Sequence, residues 1–166
     1  MNDLAFIHTQ AGICVVDADV FPALTVSKWH TSKDGYIMGS RGGKTISIAR
    51  AIINVPEGMQ PDHKNGIPWD NRKCNLRAAT INQNQQNQGK RRGGTSQFKG
   101  VYWSIYHKSW RAQIRVDRRK IHLGTFKTES LAALAYNEAA SFHFGEFARL
   151  NIVTKLEVSG EQKGSI

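Results

Sequence analysis

The chain has 166 residues, of which 40% are hydrophobic and 22% are charged. This length accommodates one domain or two small ones and excludes a barrel enzyme, while the composition excludes wholesale disorder and collagen-like or coiled-coil proteins. No window approaches about 18 apolar residues and no basic leader precedes an apolar run, so we expect neither a membrane span nor secretion. The only cysteines, Cys14 and Cys74, exclude a disulfide scaffold and a cysteine-built zinc site, and they fit a reducing compartment.

Charge is distributed unevenly along the chain, which holds 23 basic and 13 acidic residues for a net charge of +10. Residues 1–88 carry +2, whereas residues 90–127 hold 11 basic residues and a single acidic one, Asp117. A positive field this concentrated is typical of proteins that bind a polyanion. It predicts nucleic acid as the partner, and the alternative is a solvated basic surface.

Short β-prone runs separated by glycine-containing turns dominate the first half of the chain. Three of these runs are predicted strands, the last turning helical near Ala49: residues 13–16, 36–38 and 45–53. A helix is predicted to begin after Thr80, because Thr-Ile-Asn-Gln matches a capping box in which Thr80 caps and Gln83 returns the hydrogen bond. This helix would carry Asn84 and Asn87 on one face.

The second half begins with a polar segment and continues with three strands and a helix. Residues 89–97 are rich in Gly, Lys and Arg and are predicted to be a linker, because they cannot form a packed core. Three predicted strands follow, with a tight turn between the last two: residues 101–104, 110–116 and 120–126. The predicted helix is capped by Thr128 and ends at Gly145. Its predicted apolar stripe consists of Leu131, Leu134, Ala135 and Phe142.

A carboxylate and an imidazole are adjacent at Asp62 and His63. Neighbouring strand residues point to opposite faces, so the two side chains can serve one site only if the strand ends there and the chain bends. A loop, a second strand and the predicted helix would then bring Asn84 back over Asp62. A lone Asp-His pair is a weak signal, and spacing alone also allows a turn histidine beside a helix with capping asparagines.

The ordered polar residues around this pair resemble the HNH endonuclease family, in its phage and homing-type branch. The resemblance covers about residues 12–88. Its main motifs are Asp62-His63-x-Asn65-Gly66, Asp70-Asn71-Arg72, Asn75-Leu76-Arg77, Ala79-Thr80 and Gln83-Asn84-x-x-Asn87. The upstream segment is also similar, at Val16-Asp17, Leu24, Trp29 and Gly35-Tyr36.

This resemblance implies a ββα-metal site that hydrolyses phosphodiester bonds. His63 would be the general base that takes a proton from the attacking water, a role suited to an imidazole at neutral pH. Asp62 and Asn84 would hold one divalent cation on the scissile phosphate, and Asn75 would tie the loop together and orient His63 through its backbone. Asn84 replaces the last histidine of the family name, and hard oxygen ligands favour Mg²⁺ or Mn²⁺ over zinc.

Strand alternation sorts the basic segment of the second half onto two faces. One face is apolar and is predicted to pack on the helix. The other is predicted to carry Tyr102, Ser104, Arg111, Gln113, Arg115, Lys120 and His122. A flat array of donors on a sheet can enter the major groove of DNA, where Arg and Gln read base edges and Lys and Tyr hold phosphates.

The second half resembles the DNA-binding domain of plant ethylene-response factors, the Apetala type, over about residues 95–151. The motifs are Phe98-Lys99-Gly100-Val101, Trp110-Arg111-Ala112, Ile121-His122-Leu123-Gly124-Thr125-Phe126, Ala132-Ala133, Ala135-Tyr136, Ala139-Ala140 and Gly145-Glu146-Phe147-Ala148-Arg149-Leu150-Asn151. The resemblance implies DNA contacts at Lys99 and at the seven polar-face residues, and we add Arg91 and Arg92 of the predicted linker. Tyr102, Ser104 and His122 replace arginines of the plant proteins, so we do not expect the plant target sequence.

We therefore expect an α+β protein, with an N-terminal ββα-metal module preceded by a β-rich lead-in and a C-terminal three-stranded antiparallel sheet packed on one helix. The predicted boundaries are residues 1–88 for the nuclease, 89–97 for the linker, 98–151 for the DNA-binding domain and 152–166 for a flexible tail. The predicted activity is site-selecting cleavage of double-stranded DNA with one Mg²⁺ or Mn²⁺.

The partner is expected to be double-stranded DNA and not a membrane, and the protein is expected to be a monomer that nicks. Its expected location is the cytoplasm of a bacterial or phage-infected cell. The main alternative is a non-cleaving, sequence-specific DNA-binding protein. RNA binding is a further rival, although a rigid sheet without exposed paired aromatics suits single-strand stacking poorly.

Overall fold

A computed structural model describes residues 3–90 and 92–154. These residues form a mixed α+β protein with several small antiparallel sheets and short helices. The chain divides into two compact units between Gln85 and Gln86. Arg91 and residues 155–166 of the predicted tail lie outside the described residues. Within the described ranges, no helix has both the length and the apolar character that a membrane crossing requires.

The first unit opens with a hairpin of β1 (Leu4–Thr9) and β2 (Gly12–Asp17). After the short helix α1 (Phe21–Leu24), a second sheet contains β3 (Trp29–Thr31), β4 (Ile37–Arg41) and β5 (Lys44–Ser47), and α2 (Ile48–Ile52) follows directly. The predicted switch from strand to helix is confirmed, since Ser47 Oγ caps α2 by accepting from Arg50 N at 3.3 Å. Buried side chains of both sheets and of the two helices α1 and α2 form one core: Ile7, Cys14, Val16, Leu24, Ile37 and Ile48.

A hairpin and a helix complete the first unit. Strands β6 (Gln60–His63) and β7 (Leu76–Ala79) pair antiparallel, and α3 (Ile81–Asn87) follows β7. The predicted capping box is confirmed by two hydrogen bonds, from Thr80 N to Gln83 Oε1 at 2.8 Å and from Gln83 N to Thr80 Oγ1 at 3.2 Å. The chain therefore enters α3 at a fixed angle directly after β7.

The second unit is a three-stranded antiparallel sheet with one long helix. Its strands β8 (Val101–Ser104), β9 (Ser109–Val116) and β10 (Arg119–Phe126) lie in the order β10-β9-β8, and α4 (Glu129–Phe144) packs on them. The turn between β9 and β10 places Asp117 and Arg118 at positive φ, as expected for a tight two-residue hairpin turn. Thr128 caps α4 as predicted, its Oγ1 accepting from Leu131 N at 3.2 Å.

The prediction of an apolar packing stripe on α4 is wrong for the three large residues assigned to it. Leu131 and Leu134 are each 42% exposed and Phe142 is 84% exposed, whereas Ala135 is partly buried against the core. The face that meets the sheet is instead formed by Ala132, Ala133, Tyr136, Ala140 and Phe144. Three of these five residues are alanines, which let α4 lie close to the sheet, while Tyr136 and Phe144 fill the remaining space against Ile114.

The helix approaches the chain closely at Gly100, the residue before β8. A Cβ atom at this position would lie 2.0 Å from the ring of Tyr136, and the φ of +78° is in the region that favours glycine. The end of the predicted linker also belongs to this packing. Ser96 is buried and donates to Glu129 Oε1 at 2.5 Å, while the neighbouring Phe98 enters the core.

Candidate active site and nucleic-acid interface

Strand β6 ends at His63, as the adjacency of the Asp-His pair requires. The chain turns there, because Gly66 N donates to His63 O at 2.8 Å and Lys64 N donates to Asn75 O at 2.8 Å. Asp62 and His63 are both buried, with 4% and 7% of their surface exposed. A buried carboxylate beside a buried imidazole is a costly arrangement that needs partners within the protein.

Asp62 has a charged partner on the neighbouring strand. Arg77 lies directly opposite it on β7 and donates from Nε to Asp62 Oδ2 at 2.8 Å. Asn84 of α3 donates from Nδ2 to Oε1 of Gln60 at 3.2 Å. Gln60 and Asp62 are two residues apart on β6 and share one face of the strand. The helix therefore brings Asn84 to the same side of β6 as Asp62.

The His63 side chain is largely shielded from solvent. Burial lowers the pKa of its imidazole, although the hydrogen bond with Asn71 and the charges of Asp62 and Asp70 act in the opposite direction. The ring is therefore neutral near pH 7, which is the form that accepts a proton. The Tyr36 ring lies beside it, with 6.2 Å between the ring centroids.

Asn75 links the two ends of the loop between β6 and β7. Its Oδ1 accepts from Asn65 N at 3.0 Å, and its Nδ2 donates to Asn65 Oδ1 at 3.0 Å and to Asp70 O at 2.7 Å. Its backbone oxygen accepts from Lys64 N, the residue after His63. These contacts agree with the loop-tying geometry that the resemblance implies for Asn75.

The same loop contains a second ion pair, between Asp70 and Arg72. The guanidinium of Arg72 donates from Nε to Oδ1 and from Nη2 to Oδ2, each at 2.7 Å, and these bonds lower the pKa of Asp70. Asn65 Nδ2 donates to Asp70 Oδ2 at 2.8 Å. A bidentate pair with an additional donor holds the loop in one conformation.

Sequence reasoning assigned no role to Asn71, which the structure brings to the catalytic candidate. Asn71 is fully buried and its Oδ1 lies 3.0 Å from His63 Nε2. Its position between Asp70 and Arg72 in a polar motif is the only sequence signal. Burial and the contact with His63 arise from tertiary structure.

The side chains near the end of β6 fit a hard divalent cation. Asp62 supplies carboxylate oxygens and Asn84 an amide oxygen, donors that suit Mg²⁺ or Mn²⁺. In the described ranges, no three His, Cys, Asp or Glu side chains cluster into a metal site.

The second unit presents its predicted polar residues on one face of the sheet. Directly opposed cross-strand pairs are Tyr102 with Arg111, Ser104 with Ser109, Gln113 with His122, and Arg115 with Lys120. Opposed residues share a face, and the other face buries Ala112 and Ile114. The structure therefore brings all seven predicted polar-face residues together. Within this array, Arg111 Nη2 lies 3.0 Å from His122 Nε2.

Unlike a free phosphate-binding lysine, Lys99 already uses its ammonium group for hydrogen bonds within the protein. Lys99 Nζ donates to the backbone oxygens of Gln86 at 2.6 Å and Gln88 at 2.7 Å, and burial lowers its pKa to about 8. A phosphate contact would require this ammonium to leave two carbonyl acceptors. Arg92 is exposed, and Arg91 lies outside the described residues.

Comparison with known proteins decides the family. A family model described as HNH endonuclease matches residues 54–86, the segment that holds β6, β7 and the Asp-His pair. An uncharacterized HNH endonuclease, L560, from Acanthamoeba polyphaga mimivirus is 30% identical over 142 residues, covering 82% of this chain and 73% of that protein. The chain belongs to the HNH endonuclease family.

Other relatives of this HNH endonuclease family member match smaller parts of it. Protein 3.8 of Escherichia phage T7 is 28% identical over 95 residues, covering 57% of the chain and 78% of that protein. Dehydration-responsive element-binding protein 2A of Arabidopsis thaliana is 48% identical over 56 residues, covering 32% of the chain and 16% of that protein. Both resemblances predicted from the sequence are thus confirmed, and no solved structure shows a significant match.

Proposed function

We propose that the chain is a site-selecting DNA endonuclease of the homing or phage HNH type. The observation that carries this proposal is the buried Asp62-His63 pair at the end of β6, with Asn84 approaching the same hairpin from α3. These residues lie inside the segment that matches the HNH endonuclease family model. The β6-β7-α3 segment is accordingly proposed to be a ββα-metal module.

In this proposal, His63 is the general base. Its lowered pKa keeps the imidazole neutral, so the ring takes a proton from the water that attacks the scissile phosphate. Asp62 and Asn84 would hold one Mg²⁺ or Mn²⁺, which when bound stabilises charge on the phosphate and on the departing 3′ oxygen. Arg77 orients the Asp62 carboxylate, and Asn75 holds the loop that follows His63.

The second unit is proposed to choose the site on double-stranded DNA. Arg111, Gln113 and Arg115 are proposed to read base edges, because they lie on the polar face of the sheet opposite Tyr102, His122 and Lys120 of the neighbouring strands. The remaining proposed DNA contacts are Tyr102, Ser104, Lys120, His122, Arg91 and Arg92. We propose a structural role for Lys99 because its ammonium already donates to two carbonyl oxygens.

We further propose that the protein acts as a monomer that nicks one strand inside a bacterial or phage-infected cell. The test is a supercoiled-plasmid assay with purified protein. Open circles should form with Mg²⁺ or Mn²⁺ and should not form with a chelator, and His63→Ala should abolish the activity. Sequence-specific binding without any metal-dependent cleavage would instead support the alternative, a non-cleaving DNA-binding protein.

A further inference from the structure

The side chain of Asn71 uses both ends of its amide within the fold. Its Nδ2 lies 3.0 Å from the carbonyl oxygen of Pro68 and 3.3 Å from the sulfur of Cys14. Its Oδ1 lies 3.0 Å from Nε2 of His63. Since Asn71 is fully buried, water cannot replace any of these partners cheaply.

The Pro68 carbonyl decides which way this amide points. A carbonyl oxygen can only accept, so the Asn71 atom at 3.0 Å from it must be the donating nitrogen. The opposite orientation would place two oxygens against each other in a buried site. Oδ1 therefore faces His63, and because Oδ1 has no hydrogen, the proton between them must be on Nε2 of the imidazole.

The backbone around Asn71 is held as firmly as its side chain. Asn71 N donates to Val15 O at 2.8 Å, and Val15 N donates to Trp69 O at 2.9 Å. Asp70 thus pairs with Val15 of β2 in an isolated parallel bridge, and Val15 directly follows the buried Cys14. The β-rich lead-in therefore fixes the position from which Oδ1 meets the His63 ring.

We propose that Asn71 is a positioning residue that holds the His63 ring in its Nε2–H tautomer, so that Nδ1 carries the basic lone pair. Nδ1 is then the atom that takes the proton from the attacking water. The tautomer follows from the hydrogen bonds alone, whereas the proton transfer rests on the proposed nuclease function. An orienting partner that selects the tautomer of a catalytic histidine acts through that histidine and does not touch the substrate.

The tautomer can be read directly by long-range ¹H–¹⁵N spectra of the histidine rings in the full chain at alkaline pH. The His63 signals are assigned as those that vanish in His63→Gln. The expected result for the parent protein is the Nε2–H pattern, and an Nδ1–H pattern would overturn the proposal whatever the variants do. This measurement needs no cleavage activity, so its failure is distinguishable from failure of the proposed function.

Two variants and a control extend the test. Asn71→Leu keeps the shape and removes the acceptor, so His63 should lose its single tautomer and kcat should fall about 10- to 100-fold with KM unchanged. Asn71→Asp keeps an acceptor toward Nε2 and should retain the tautomer, but it loses the donor to the Pro68 carbonyl and should therefore lower the stability of the fold. Ile48→Val alters the same core away from this contact and should keep both.

Equal tautomer and kcat in Asn71→Leu and the parent protein would overturn the positioning role. If Asn71→Leu fails to fold, a retained Nε2–H pattern in folded Asn71→Asp supports the proposal and its loss there overturns it. If neither variant folds, the spectrum of the parent protein decides: the Nε2–H pattern supports the proposal and the Nδ1–H pattern overturns it.

Discussion

The two units differ in whether their proposed functional polar residues are buried or exposed. In the first, Asp62, His63 and Asn71 are buried, and each has a hydrogen-bond partner within the fold. In the second, Arg115 and Lys120 stand exposed on a sheet face whose other side packs on α4. The difference teaches that proton transfer needs groups fixed before the substrate arrives, whereas reading DNA needs donors that remain accessible.

Charge follows the same division. Residues 1–88 carry only +2, and residues 90–127 hold 11 basic residues against a single acidic one. The nuclease unit therefore has little electrostatic attraction for DNA of its own, and most of the affinity should come from the second unit. Substitutions in the first unit should change rate, and substitutions on the sheet should change affinity and site choice.

The largest expected effect comes from His63→Ala. Loss of general-base help should lower the single-turnover cleavage rate by about 10² to 10⁴, while DNA affinity stays almost unchanged because the base acts in the transition state. The matched control is His30→Ala, an exposed histidine of the same unit, which should cleave normally. Cleavage by His63→Ala at the parent rate would remove His63 from the mechanism.

The second-largest expected effect is a loss of stability of the second unit on substitution of Gly100. Gly100→Ala should lower the free energy of unfolding by about 1–3 kcal/mol from backbone strain and by about 1–3 kcal/mol more from overlap with Tyr136. Gly94 has a similar φ of +89° but no atom within 4 Å of an added Cβ, so Gly94→Ala should show the strain alone. Equal urea-unfolding midpoints for the two variants would contradict the close packing of helix and sheet.

Within the sheet, base-reading and phosphate-binding residues should differ in their effects. Arg115→Ala should cost about 1–3 kcal/mol at particular base pairs and relax the preference there. Lys120→Ala should weaken all sequences alike and reduce the slope of log affinity against log salt by about 0.9. Lys99→Ala should instead lower thermal stability and leave that slope unchanged. A Lys99→Ala protein with normal stability and a reduced slope would restore the phosphate contact implied by the resemblance.

The smallest expected effect concerns pH. Burial lowers the pKa of folded His63 below its usual value of 6.5, so the unfolded chain takes up a proton first as pH falls. The contribution of His63 to stability is thus complete above pH 6.5 and is lost as pH falls through the lowered folded pKa. Urea titrations between neutral and acid pH should show a weaker dependence for His63→Ala. An unchanged dependence would mean that burial of His63 does not shift its titration.

Local rules predicted much of this structure from the sequence. Strand alternation placed Arg111, Gln113 and Arg115 on one face correctly, because side-chain direction in a strand depends only on position. The capping boxes and caps at Thr80 and Thr128 were equally local. The packing face of α4 was largely missed, since hydrophobicity favoured the exposed leucines, whereas the buried face combines alanines with Tyr136 and Phe144 and depends on how closely the sheet approaches.

The candidate active site shows the same limit of prediction from local sequence. The motif predicted Asp62, His63 and Asn75 as site residues because their order along the chain is distinctive, and the structure places Asn75 across the loop that follows His63. No role was predicted for Asn71 because its contacts depend on Cys14 and on β2, which lie more than 50 residues earlier in the chain. No local pattern encodes such a contact.

The central claim, that one unit cuts while the other chooses the site, is tested most directly by mapping cleavage positions on a library of DNA fragments. The parent protein with Mg²⁺ or Mn²⁺ should cut at few positions. The double substitution Arg111→Ala and Arg115→Ala should still cut with the same metal dependence but at different and more numerous positions. An unchanged set of cleavage positions in that variant would contradict the account and would place site choice in the nuclease unit.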